Sequence, residues 1–237
     1  MIKVNRPIPV GRIRLLVFDL DGTLIDSRTD LTNSVNAMLR HYDRPELPCE
    51  LISTYIGDGA PMLVRRALGD PDDQKFVEEA LIFFLMYYRE HKLDNTYVYE
   101  GVRESLSAIR EACDGAVRMA VLSNKPVNPS RAIVDALGLA DYFFQVYGGN
   151  SFPTKKPDPQ GAQALLGEAG VTAGEAVMIG DSANDVATAQ NAGMYSVGLT
   201  YGLSPATLEK LPPDVLLDRP DELGDFFTAA DQPKWTE

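Results

Sequence analysis

Cysteine is scarce: 237 residues carry only Cys49 and Cys113. Two are too few for a disulfide framework or a zinc cluster, so both are expected as unpaired small side chains in a reducing compartment. Histidine is equally scarce. His41 and His91 stand in no partnered pattern, and neither is expected to be catalytic. Long hydrophobic runs are lacking too. Ala80–Met86 is among the longest, far short of the ~20 apolar residues that cross a bilayer. The opening Met1–Arg14 is basic but broken by Pro7, Pro9 and Gly11, with no h-region and no small-residue cleavage site, so no signal sequence is expected in it. There is no excess of positive charge either. Twenty-two Lys and Arg against thirty-four Asp and Glu give a net charge of −12, a field that repels phosphodiester backbones. Nucleic acid and membrane are therefore not expected as partners, and a cytoplasmic location is. What remains, at 45% hydrophobic and 24% charged, suits a globular enzyme. At roughly 150 residues per domain, the length allows one domain carrying a smaller appendage.

Short apolar runs supply the strands. Leu15–Phe18 is followed at Met119–Leu122, Phe143–Tyr147, Ala176–Ile179 and Tyr195–Leu199, with a weaker run at Val215–Leu217. Continuous apolar runs of this length suit strands buried on both faces of a parallel sheet. Between them lie helix signals: Pro129 opening a helix that Gly138 closes, and Asp185–Ala192 ending at Gly193. The alternation predicts an α/β fold with a doubly wound parallel sheet. Residues 26–100 interrupt it. Leu31, Val35, Met38 and Leu39 share one helix face. Val77, Ala80, Leu81, Phe84, Leu85 and Tyr88 share another, and Pro61 starts a short helix between them. No strand is expected there. The division is thus 1–25 with 101–237 as the sheet unit and 26–100 as an inserted helical unit. The last ten residues, Thr228–Glu237, are expected to form a loose tail.

Four segments at or near strand ends carry chemistry. Asp19 and Asp21, followed by Gly22 and Thr23, place two carboxylates in the crevice where open α/β sheets bind ligands. The alternative is an Asp-rich turn. Ser123 and Asn124, before Lys125 and Pro126, offer a hydroxyl, an amide and backbone N–H groups as a phosphate cradle, or else a plain turn. Lys156, next to Lys155 and before Pro157, is either a fixed positive charge for a phosphoryl oxygen or half of a solvated pair. Asp181 and Asp185 are two more carboxylates, or an acidic helix start. Taken together, these segments bring at least three carboxylates to one sheet edge. Hard oxygen ligands select Mg²⁺ over zinc. With a lysine and a hydroxyl beside them, they make up the equipment of phosphoryl transfer.

These residues resemble a known family. Phe18–Leu24, Ser123, Lys156 and Gly180–Asp185 are similar to the four motifs of the haloacid dehalogenase superfamily, and 26–100 resembles its small helical cap. The likeness runs from about residue 13 to 227. Within the superfamily, Thr54–Ala60 with Arg65–Leu68 resembles the cap segment of bacterial phosphoglycolate phosphatases. The Ser123–Pro126 and Gly198–Gly202 segments are similar to that group as well. The resemblance implies a Rossmann-like core and a Mg²⁺-dependent hydrolysis of a small phosphate monoester, 2-phosphoglycolate foremost. It implies Asp19 as nucleophile forming an aspartyl-phosphate, and Asp21 as general acid and base. Mg²⁺ would be held by Asp19, Asp21 through its carbonyl, and Asp181, with Asp185 orienting the site directly or through water. Lys156, Ser123 and Asn124 would hold phosphate oxygens. Gly57 and Gly59 would free a cap loop, and Arg66 would clamp a substrate carboxylate or else lie solvated on a helix face.

The same fold could serve a sugar phosphomutase, a pyrophosphatase or a sugar-phosphate phosphatase, separable by product. A non-enzymatic phospho-accepting module is a further alternative, although such modules are about half this length and have no insert. A monomer or a homodimer fits equally.

Overall fold

The structure, a computed structural model, describes residues 2–113 and 115–228; residues 229–237, nearly all of the expected tail, lie outside the described residues. The chain opens with β1 (Lys3–Val4), β2 (Leu15–Phe18) and β3 (Ile25–Asp26). Four helices follow, α1 (Arg28–His41), α2 (Cys49–Ser53), α3 (Ala60–Ala67) and α4 (Gln74–His91), and then β4 (Tyr97–Val98). After α5 (Val102–Ala112) strands and helices alternate. They are β5 (Arg118–Leu122), α6 (Val127–Ala136), β6 (Gln145–Tyr147), α7 (Gln160–Ala169), β7 (Ala176–Gly180) and α8 (Ala183–Ala192). β8 (Tyr195–Leu199), β9 (Val215–Leu217) and α9 (Asp221–Thr228) complete the fold.

The sheet order is β1-β9-β8-β7-β2-β5-β6, parallel throughout except for β1, which runs antiparallel along one edge. The doubly wound parallel sheet expected from the sequence is therefore present. β2 lies near the centre, and its period of two divides the packing. Leu16 and Phe18 meet Val102, Leu106, Ile133 and Phe226 on one face. Leu15 and Val17 meet Ala162, Leu165 and Ala189 on the other. All four β2 residues are fully buried, which is why the run is apolar without alternation.

Three details depart from the sequence reading. β6 begins at Gln145, because Ala140–Tyr142 forms a 3₁₀ turn and Phe143 is spent packing edge-on to Phe18, ring centroids 5.9 Å apart. α6 starts at Val127. Pro129 then sits in its first turn, where the missing N–H costs nothing. Residues 26–100 do contain strand. Ile25 pairs with Val98 and Asp26 with Tyr97, so the two chain crossings form a two-stranded ribbon. A pair of two-residue strands so far apart in sequence leaves no local periodicity to detect.

α1 to α4 enclose an apolar cluster of their own, including Val35, Met38, Ile52, Val64, Ala80 and Phe84. Its junction with the crossing chains is tied by the buried Asp30. Its carboxylate accepts hydrogen bonds from the backbone N–H groups of Asn95 and Thr96, from the Asn95 amide at 2.9 Å and from the Thr96 hydroxyl at 2.7 Å.

Candidate active site

The C-terminal ends of β2 and β7 lie side by side, Phe18 opposite Ile179, so the residues that follow each strand meet. Asp19, Asp181 and Asp185 are all buried and offer carboxylate oxygens within 4.8 Å of one another. Lys156 reaches the same point from the loop before α7, its ammonium 2.9 Å from Asp19 Oδ1 and 2.6 Å from Asp185 Oδ1. Asp181 accepts from the backbone N–H of Leu203 at 2.6 Å and of Ser204 at 2.9 Å. Asp185 also accepts from the Ser182 N–H and hydroxyl, closing a capping box at the start of α8. The acidic helix start and the carboxylate cluster are thus the same residues. Gly22 makes the convergence possible. Its φ of +84° lies in the left-handed region, and a Cβ there would run into the Asp181 carboxylate.

Burial without solvent makes this cluster electrostatically strained. Burial pushes Asp19 up to about 6, with Asp185 and Asp21 adding to the rise while Lys156 opposes it. Burial, then Asp185 and Asp19, push Asp181 up to about 8 against the two backbone N–H groups. Lys156 stays above its ordinary value. Burial works against its charge, but Asp185 and Asp19 outweigh that. Three buried carboxylates facing one ammonium carry an excess of negative charge, and an all-oxygen donor set of this kind fits a hard divalent cation.

Asp21 turns elsewhere. Both its oxygens face the Lys125 ammonium, at 2.8 and 2.9 Å, and Ser27 donates to Oδ1 at 2.5 Å. Its side chain is therefore not part of the carboxylate trio. Lys125 is buried. Burial opposes its charge, yet Asp21 holds the ammonium well above its ordinary range. Its Nζ lies 4.8 Å from the centre of the Tyr88 ring, which α4 brings over the site. Ser123 is buried at the end of β5, its hydroxyl accepting from the Lys125 N–H at 3.3 Å. The Asn124 amide donates to the carbonyls of Gly57, at 2.9 Å, and Lys156, at 3.0 Å, joining the helical unit to the sheet unit.

That join is reinforced. Asn184 donates to Asp58 Oδ1 at 2.7 Å, and Lys155 donates to the Asp58 carbonyl. Gly59, at φ +85°, packs so closely on the Asn124 carbonyl that a Cβ would lie 2.8 Å from it. Gly57, also left-handed, lies beside it in the same loop. Between the units a chamber, partly open to solvent, is lined by Asp19, Asp21, Ser123, Asn124, Lys125 and Tyr88 beside Leu31, Ile56, Leu63 and Phe84.

Arg66 is not brought to this chamber. It pairs with Asp58 at 2.5 Å and donates to the Tyr55 carbonyl at 3.4 Å, from the last turn of α3. Burial opposes the Asp58 charge, but Asn184 and Arg66 hold the group below the ordinary carboxylate value. The clamp expected of Arg66 is thus engaged within its own unit. Lys125, Tyr88 and Asn184 were not singled out in the sequence. Lys125 and Asn184 stand inside the two motifs that were, whereas Tyr88 reads as one more member of an apolar helix stripe.

Comparison with known proteins agrees with this geometry. A sequence model of the haloacid dehalogenase-like hydrolases matches residues 16–199. A phosphoglycolate phosphatase of Photobacterium profundum is 37% identical over 225 residues, 92% of this chain and 97% of its own. Phosphoglycolate phosphatase 1 of Pseudomonas aeruginosa is 38% identical, covering 92% of this chain and 80% of its own. Among solved structures, that of a predicted phosphoglycolate phosphatase from Haemophilus somnus superposes with a TM-score of 0.84. It is 31% identical over 91% of this chain and 98% of its own.

Proposed function

The chain belongs to the haloacid dehalogenase-like hydrolases, and on that footing we propose that it is a magnesium-dependent phosphatase that converts 2-phosphoglycolate to glycolate and phosphate. The observation that carries the reading is the buried carboxylate trio with Lys156, whose member Asp19 lines a chamber between the two units. The relatives' names supply the substrate.

Asp19 attacks phosphorus in line. A bond forms from its carboxylate oxygen as the ester P–O bond breaks, and Asp21 gives a proton to the departing alkoxide. Asp21 then takes a proton from the water that attacks the acyl phosphate, releasing phosphate and restoring Asp19. Lys156 and Ser123 hold phosphoryl oxygens, and Asn124 keeps the Gly57 loop over them. Magnesium, held by Asp19, Asp181 and the Asp21 carbonyl with Asp185 beside them, would neutralise charge on the phosphoryl group during attack. Residues 26–100 act as a cap that excludes water, Gly57 and Gly59 lying in the loop that covers the site. The two unpaired cysteines suit the cytoplasm. No described helix is long and apolar enough to cross a membrane.

The test is phosphate release from a panel containing 2-phosphoglycolate, hexose phosphates and pyrophosphate, with magnesium and then with excess chelator. Turnover of 2-phosphoglycolate that stops on chelation supports the reading. Preference for a hexose phosphate, or full activity in chelator, refutes it.

A further inference from the structure

The chamber walls present a problem of recognition. Glycolate is small and acidic, yet the leaving-group side of the chamber is walled by Leu31, Ile56, Leu63 and Phe84. Among the described lining residues the only cation is Lys125. An apolar chamber gives a carboxylate no affinity and charges it a desolvation cost, unless a buried partner compensates. Arg66, the expected partner, is committed to Asp58 outside the chamber.

Two groups are placed to compensate. The Lys125 ammonium is buried beside Asp21, two residues beyond the nucleophile. The Tyr88 ring covers that ammonium, held in line by stacking on Phe84 at 5.8 Å, and the proton of its buried hydroxyl has no acceptor. A buried donor left unpartnered in a ligand chamber is costly, and a ligand acceptor would satisfy it.

There is also a conflict in the resting arrangement. Asp21 faces Lys125 with both oxygens, so it does not present a proton to a leaving alkoxide. To act as general acid it has to let go of the ammonium.

Resting on the proposed phosphatase reaction, we infer that Lys125 and Tyr88 form the subsite for the substrate's carboxylate, and that this carboxylate takes the place of Asp21 at Lys125. The substrate class is then phosphate monoesters bearing a carboxylate one carbon from the ester oxygen. The acid group does two things at once: it binds, and it frees Asp21 toward the leaving oxygen. Neutral esters of the same size leave Asp21 paired, so selectivity shows in kcat as well as in KM. Lys125 is a specificity-determining residue, and Tyr88 supports it.

The experiment compares 2-phosphoglycolate with ethyl phosphate, which keeps both carbons and loses the carboxylate. Both esters are assayed with magnesium in the wild type and in Lys125→Gln, Lys125→Arg and Tyr88→Phe. A charge-assisted contact in a buried site corresponds to about ten- to a hundredfold in kcat/KM, and the wild-type preference for the acid ester is expected in that range. Lys125→Gln should lower the acid ester far more than the neutral one, since only the acid ester uses the ammonium, and so should bring the preference close to unity. Lys125→Arg should recover much of it, and Tyr88→Phe should lose about fivefold. Equal losses on both esters in Lys125→Gln would reduce Lys125 to a holder of Asp21 and overturn the inference. Should that variant fail to fold, an unchanged preference in Tyr88→Phe overturns it equally. A wild type that turns over both esters without preference fails differently, by removing the substrate reading itself.

Discussion

Binding of magnesium should weaken as pH falls, because burial and neighbouring carboxylates make two of the three clustered carboxylates hold protons more readily in its absence. With Asp181 raised to about 8 and Asp19 to about 6, each ion that binds at neutral pH must displace protons. Treating the two as competing protonations, apparent affinity falls about sixfold from pH 8 to pH 7. It falls on the order of 100-fold from pH 8 to pH 6, and further toward pH 5 as Asp19 also protonates. Stability should follow with a defined sign. The folded pKa values lie above the unfolded value near 3.9, so the folded metal-free protein binds the extra protons. This contribution to stability is complete below about pH 4 and is lost as pH rises through 6 and 8. Magnesium reverses the loss, so at a fixed total concentration it should raise Tm more at pH 8 than at pH 6. Calorimetric titration at pH 7 in buffers of different ionisation enthalpy should report about one proton released per ion. An affinity that is flat between pH 6 and pH 8, with no proton release, would refute the electrostatic account of the cluster.

Gly22→Ala should cost about 1–2 kcal/mol of stability from its left-handed backbone and displace the Asp181 carboxylate, so magnesium affinity should drop more than tenfold; a wild-type binding isotherm would show that the close approach is unimportant. Asn184→Ala removes the hydrogen bond to Asp58 and should lower kcat/KM about fivefold, for about 1 kcal/mol, by the same factor on acidic and neutral esters. Unchanged kcat/KM on both would mean that the contact does not hold the two units together during turnover.

The parallel sheet was legible because β2, β5, β7 and β8 are buried on both faces, and such burial leaves uninterrupted apolar runs in the chain. The metal-ligand candidates were legible because each follows one of those runs. The antiparallel edge β1 was not, since Lys3–Val4 is two residues long and its partner Val215–Leu216 lies at the far end of the chain. Lys125 and Tyr88 escaped notice for a related reason. A lysine in a loop and a tyrosine in an amphipathic helix have ordinary local explanations, and only the fold sets one over the other. The pairing of Arg66 was not legible either, because sequence spacing does not show that Asp58, eight positions earlier, turns back onto the same helix end.

The ribbon of β3 and β4 bears on how such chains diversify. Because Ile25 pairs with Val98, the chain leaves the sheet unit and returns to it at neighbouring points, about 5 Å apart. Whatever is spliced between those points is, to the sheet, the tip of a hairpin. Loop-closure entropy grows only with the logarithm of length, so doubling the insert adds only about 0.6 kcal/mol. Inserts of different size and lining can therefore be exchanged at this junction with little effect on Asp19, Lys156 or Asp181. Under the proposed reaction, selectivity for the leaving group can drift in one stretch of chain while the residues proposed to handle the phosphoryl group stay fixed in the other.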